Sequence, residues 1–200
     1  MAAKKFTKTS AEAFKSFVIE AGMILNKFDV ESPNVQDSDI ICATTGGITA
    51  SCVPTYLDLG EDVDNCPKNL KELKKLDSWD CKLAFTSLST TKEAIQMALG
   101  ASEVTSEKGL KVAPRRDLKP TDFKDVWWVG DRVDGGMVAI CLKNALSTSG
   151  LSLKTTKNGK GQLQIELTGH VSAAAQDTMP MEFYSTDGSL PAAASAGGKK

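Results

Sequence analysis

Histidine is nearly absent from this chain: His170 is the only one in 200 residues. Most catalytic designs go with it, because imidazole is the usual general base near neutral pH. A Ser/His/Asp site would have to use His170, which lies in an alternating stretch and reads as a structural strand residue. Cysteine is scarce and scattered: Cys42, Cys52, Cys66, Cys81 and Cys141 are odd in number and form no C-x-x-C. They read as reduced thiols in a cytosolic setting, filling core, and neither a disulfide framework nor a zinc site is expected. No apolar run reaches the length of a membrane span, and the basic N-terminus has no apolar stretch after it, so no secretory signal is expected. Net charge is −1, which excludes a polycation steered onto nucleic acid.

Other signatures of chemistry are missing too. Gly46-Gly47 and Gly135-Gly136 lack the surroundings of a phosphate loop. Asp131-Arg-Val-Asp134-Gly-Gly spaces its acids wrongly for a calcium loop and reads as a turn. The carboxylates between 58 and 64 read as a solvated loop or a partner contact sooner than a cation site. The expectation is a protein that is not an enzyme and carries no cofactor and no metal.

What the chain does have is period-two alternation. Phe17, Ile19, Ala21, Met23 and Leu25 predict one buried face of a strand over 17–28, broken by Ser32-Pro33-Asn34. Ile40–Thr44 and Ile48–Tyr56 read as short strands joined by a hairpin-like turn at Thr45-Gly46-Gly47. Trp79, Cys81, Leu83 and Phe85 form one face of a strand, against Asp80, Lys82 and Thr86. Thr90-x-x-Glu93 is a capping-box pattern that opens a helix over about 90–100, with Gly100 at its C-terminal cap. Residues 102–113 read as a polar hairpin turning at Lys108-Gly109, and 114–120 as a loop. Phe123–Val129 and Met137–Ala145 read as strands. Trp127 and Trp128 are adjacent and so point to opposite sheet faces. One face belongs to the core; the other is covered by the helix or by a neighbouring chain.

The clearest hairpin is 151–168, turning at Asn158-Gly159. Leu151, Leu153, Leu163, Ile165 and Leu167 make its apolar face. Ser152, Lys154, Thr156, Gln162, Gln164, Glu166 and Thr168 make its wet face. Met181–Ser185 reads as a last strand. Residues 1–16 read as an adaptable arm, 17–186 as the folded domain, and 187–200 as a flexible Gly/Ala/Ser-rich tail. The fold expected is mainly β, an antiparallel sandwich or barrel with one flanking helix.

A long non-β excursion over about 57–78 interrupts these strands. Leu57–Cys66 holds four carboxylates, Asp58, Glu61, Asp62 and Asp64, and no base. Residues 67–76 hold Lys68, Lys71, Lys74 and Lys75 against one acid. Pro67 with Leu70, Leu73 and Leu76 predicts a short helix there. The excursion is either a partner contact or a self-satisfied surface loop with Lys68 paired to Glu72. A loop of this size is expected to order on assembly.

Several strings resemble the major tail tube protein of long-tailed bacteriophages with non-contractile tails. They are Ile40-Ile-Cys-Ala-Thr-Thr-Gly-Gly-Ile, Cys52-Val-Pro-Thr-Tyr-Leu-Asp-Leu-Gly-Glu-Asp-Val-Asp-Asn-Cys-Pro and Pro114-Arg-Arg-Asp-Leu. Trp127-Trp-Val-Gly-Asp-Arg, Thr155-Thr-Lys-Asn-Gly-Lys-Gly-Gln, Glu166-Leu-Thr-Gly-His-Val-Ser and Pro180-Met-Glu-Phe-Tyr complete the set, over about residues 17–185. The resemblance implies a virion protein, assembled in the host bacterial cytoplasm, whose hexameric rings stack into a tube. It also implies a tape-measure protein in the lumen, tail terminator and distal tail proteins at the ends, transient non-specific passage of double-stranded DNA, and no membrane. Under the resemblance the wet face of hairpin 151–168 lines the lumen or else faces outer solvent, and the 57–78 excursion, whose charge blocks suit head-to-tail association, is an inter-subunit or inter-ring contact. Roughly 24 strands about 4.8 Å apart and tilted about 40° give a backbone diameter of order 45–50 Å, wide enough for a duplex. The alternatives are a tube subunit of a contractile-tail or type VI secretion machine, told apart by a sheath partner, and a monomeric β-sandwich binding module, which needs an exposed aromatic platform.

Overall fold

Period-two patterning and β-branched residues put nearly half of the described residues into strands, all paired antiparallel. The computed structural model describes residues 10–106 and 110–188. After a short helix α1 (Ala11–Lys15) come β1 (Val18–Leu25), β2 (Ile40–Cys42), β3 (Thr44–Asp58) and β4 (Lys74–Ser87). Helix α2 (Lys92–Leu99), the small hairpin β5 (Ser102–Ser106) and β6 (Leu110–Pro114), β7 (Lys124–Arg132) and β8 (Met137–Ser147) follow. The chain then forms β9 (Ser152–Lys154), β10 (Gln162–Thr168) and β11 (Met181–Thr186).

One nine-stranded sheet carries the fold, in the order β2-β1-β7-β8-β10-β4-β3, with β11 beside β8 and β9 beside β10. Strand β8 joins its two halves: Met137–Leu142 pairs with β11, whereas Leu146 and Ser147 pair with β10. The two ends of the path, β2 and β3, are separated in sequence only by Ala43, so the sheet curls to bring its ends near each other without closing by hydrogen bonds.

The main core lies inside that curl. Ile24, Val126, Trp128, Ile140 and Leu142 from one half pack in one cluster with Cys81, Leu83, Phe85, Leu163, Ile165 and Leu167 from the other. Each large aliphatic side chain buried there contributes about 1.5–3 kcal/mol. Ala94 and Ala98 of α2 are fully buried in the same cluster. Thr91, one residue after the position the capping-box pattern marks, caps α2 by accepting from the Ala94 amide, and Gly100 ends it at φ +70°.

Several expectations need correction. The face Phe17, Ile19, Ala21, Met23 and Leu25 is not the buried one: Phe17, Ile19 and Met23 are exposed, while Ile24 and Leu25 are buried. Glu20 and Gly22 adopt positive φ, and the pairing of β1 with β7 shifts register between Ile19 and Met23. A bulge there breaks the alternation. Gly46-Gly47 is not a hairpin turn but a bulge within β3, both residues at positive φ. No α-helix forms in 67–76. Lys71–Leu73 is a single 3-10 turn, and Lys74, Lys75 and Leu76 enter β4 opposite Asp58, Leu57 and Tyr56. Ladder hydrogen bonds outweigh the leucine spacing. The second face of the tryptophan pair is not covered by α2: Trp127 stacks on Tyr184 and meets Phe28 at 5.8 Å. The flanking helix is accompanied by a second, α1, inside the segment read as an arm; residues 1–9, the turn at Lys108-Gly109 and 189–200 lie outside the described residues.

Candidate assembly surfaces

Strands β3 and β4 pair from Thr44 opposite Ser87 out to Asp58 opposite Lys74, longer than the body they belong to. The non-β excursion is therefore shorter than the sequence suggests, residues 59–73, and it caps a two-stranded arm. On the core-facing side of the arm, Cys52, Pro54 and Tyr56 continue one line of β3, and Trp79 with Leu76 answers across the ladder. Inside the body this line is covered; at Tyr56 (56% exposed) and Leu76 nothing among the described residues covers it. Val53 and Leu57 on the other side, and Leu59 and Val63 in the loop, are exposed as well. The apolar line of this sheet face thus runs on past the core that covers it inside the body.

The loop at the tip is knitted together. The Leu59 amide donates to the Leu73 carbonyl, and the Glu61, Val63 and Cys66 amides donate back to Asp58, Gly60 and Val63. Gly60 is packed so closely that a Cβ would meet Cys66 Sγ and Leu73 Cδ1 at 2.9 Å. Asp58 accepts from the Gly60 amide at 3.1 Å and pairs with Lys74 at 3.4 Å. The Gly60 hydrogen bond, with Lys74 and against partial burial, holds its carboxyl below the usual carboxylate range. Asp58 and Lys74 thus pin the arm, and Lys71 pairs with Glu72. Glu61, Asp62, Asp64, Lys68 and Lys75 make no ion pair among the described residues, and the Lys68–Glu72 pair does not form.

The wet face of the β9–β10 hairpin is outward. Ser152, Lys154, Gln162 and Gln164 are exposed, Glu166 and Thr168 half-buried, and Leu163, Ile165 and Leu167 buried behind them. Thr156 is exposed but belongs to the turn, not to a strand. Leu151 and Leu153, expected on the buried face, are exposed, because β9 is only three residues long and overhangs the core. Sequence reading missed that β4 and β3 carry the same face onward. Gln164 lies beside Thr86, Glu166 beside Ala84 and Thr168 beside Lys82; Ala84 and Lys82 in turn lie beside Thr49 and Ser51. Only the strand order reveals this, and local alternation does not contain it. The result is a four-stranded polar face, β9-β10-β4-β3. Among its charges Lys82 lies 3.4 Å from Asp80 and 3.8 Å from Glu166. Neither β3 nor β9 has a second neighbour among the described residues, while β10 pairs with β8 at Leu167 and Thr168.

His170, which sits just past β10 and not in a strand, clasps the fold. Its Nδ1 is 3.2 Å from the Asn144 carbonyl, and its ring meets Phe123 edge-on. A concavity of about 820 Å³ beside α2 is lined by Glu93, Gln96, Arg115 and Asp122 among others. Arg115 and Asp122 pair with each other, and Asp122 also accepts from the Lys119 amide, so these groups are committed to the structure. Of the tryptophans, Trp128 is buried and Trp79 and Trp127 half-buried, which leaves no tryptophan platform. The chain matches no family model and no curated protein.

Proposed function

We propose that the protein is a structural subunit of a phage tail tube, assembling into hexameric rings that stack around the tape-measure protein and later conduct the genome. The observation that carries this reading is the four-stranded face β9-β10-β4-β3, polar outside and apolar behind, in which neither β3 nor the short β9 has a second neighbour among the described residues, while β10 runs on past β9 to pair with β8. Open edges invite strands from another chain, and closing several such units into a ring removes every edge at once. Six units of four strands give the roughly 24-strand barrel with a bore of duplex width. In this reading the two halves of the curled sheet form a sandwich, and Gln162, Gln164, Glu166 and Thr168 with Ser152, Lys154 and Thr156 line the lumen. A lining without excess positive charge lets DNA slide, because it does not gain the counterion release that makes basic surfaces adhere.

The β3–β4 arm, with Asp58, Glu61, Asp62 and Asp64 in front and Lys68, Lys71, Lys74 and Lys75 behind, is the contact between subunits or rings. The working place is the virion tail, assembled in the bacterial cytoplasm, with terminator and distal tail proteins at the tube ends. Negative-stain electron microscopy of the concentrated, purified protein tests the reading: rings or tubes are expected, and dispersed monomers at high concentration would overturn it.

A further inference from the structure

We propose that the acidic arm tip of one copy docks on the lysine loop between β9 and β10 of the next copy. The inference rests on the self-assembly reading and names the surface that receives the arm.

The two surfaces lie at opposite poles of one sheet. The arm tip leaves the ladder where Asp58 faces Lys74, and the β9–β10 loop leaves it near Ser87, which faces Leu163. Strand β4, 14 residues long, runs between the poles, so at about 3.3 Å per residue they are on the order of 45 Å apart. They cannot meet within one molecule.

They are nevertheless complementary. Between 57 and 66 there are acids and no base; between 151 and 161 there are Lys154, Lys157 and Lys160 and no acid. Glu61, Asp62 and Asp64 are exposed, the three lysines are exposed, and none of the six makes an ion pair among the described residues. Uncovered apolar side chains accompany each charge block: Leu57, Leu59 and Val63 at the tip, Leu151 and Leu153 at the other pole. A two-fold dimer through the β9–β10 pole would set lysine against lysine. A copy displaced along the strands sets acid against lysine and leucine against leucine, and repeats without limit. The axial repeat of the assembly is then no longer than about the pole-to-pole distance, and shorter if the strands tilt.

Two full-length charge-reversed chains test this. One carries Glu61→Lys, Asp62→Lys and Asp64→Lys; the other carries Lys157→Glu and Lys160→Glu, the two lysines of the loop itself. All five positions are exposed, and tryptophan fluorescence checks that both variants stay folded. Each alone is expected to lose pelletable tube by about tenfold or more. An equimolar mixture is expected to regain it, because the basic tip of one fits the acidic loop of the other in alternation. If the wild type forms tubes while the mixture stays in the supernatant, or if reversing the lysines leaves assembly intact, the docking proposal is wrong and the tube reading stands. If the wild type never assembles, the tube reading itself falls and takes this proposal with it.

Discussion

Gly22 shows how one residue sets the shape of β1. It sits at φ +71°, and a Cβ there would meet Trp128 Nε1 at 2.4 Å and the Val129 carbonyl at 2.5 Å. The Trp128 indole N–H donates to the Ala21 carbonyl at 2.9 Å, so the glycine and the indole fit only together. Gly22→Ala is expected to lose about 2–4 kcal/mol, the left-handed backbone cost plus overpacking. Gly135→Ala, at φ +82° with open space around it, is expected to lose only about 1 kcal/mol. Urea unfolding midpoints compare the two. Cys81 and Cys141 carry a second residue-scale prediction. Burial, assisted at Cys81 by the neighbouring Cys52 thiol, pushes both up to about 12. The Tyr184 phenol is also raised by donating to Glu182. For each of these groups the folded state holds its proton after the unfolded state has lost it. Stability is therefore expected to be full below the ordinary thiol value and to fall as pH rises from about 9 toward 12. Thermal melts across that range check it, and a flat profile would contradict the burial of the thiols.

At the scale of elements, β4 was legible in the sequence because its alternation from Trp79 to Phe85 is unbroken and coincides with its burial. Strand β1 was not, because the positive φ values at Glu20 and Gly22 flip the faces midway; the glycine inside a strand pattern was the available signal. The glycine pair 46–47 marks a bulge as well as it marks a turn, and only the partner strand decides which. The true turn of that hairpin lies at 59–73, where leucines at helical spacing pointed to a helix that the ladder prevents. The arm is an appendage with its own backbone hydrogen bonds. Replacing residues 59–73 by a two-residue Asn-Gly turn is therefore expected to leave the body folded, with the near-ultraviolet circular dichroism of the parent, and to abolish tubes. Loss of the folded signal would mean that the arm supports the core instead. Thr91→Ala, which removes the cap of α2, is expected to cost about 1 kcal/mol in the same unfolding assay.

For the whole molecule, the sequence exposed the surface chemistry better than its arrangement. The wet residues of β10 and the acid and lysine blocks are local patterns and were readable. That the wet face continues across β4 and β3, and that acid and lysine blocks stand at opposite ends of that face, depends on strand order and register, which arise from long-range pairing. In the proposed assembly, the edges at β3 and β9 serve sideways association into a ring and the two charged poles serve lengthwise stacking. A cryo-electron microscopy reconstruction of the assembled protein tests this most directly. The expected result is a six-fold tube whose bore is lined by Gln162, Gln164 and Thr86, with strand ladders continuing from β3 of one subunit to the next. An assembly with no central channel, or one that carries this face on its outer surface, would contradict the account.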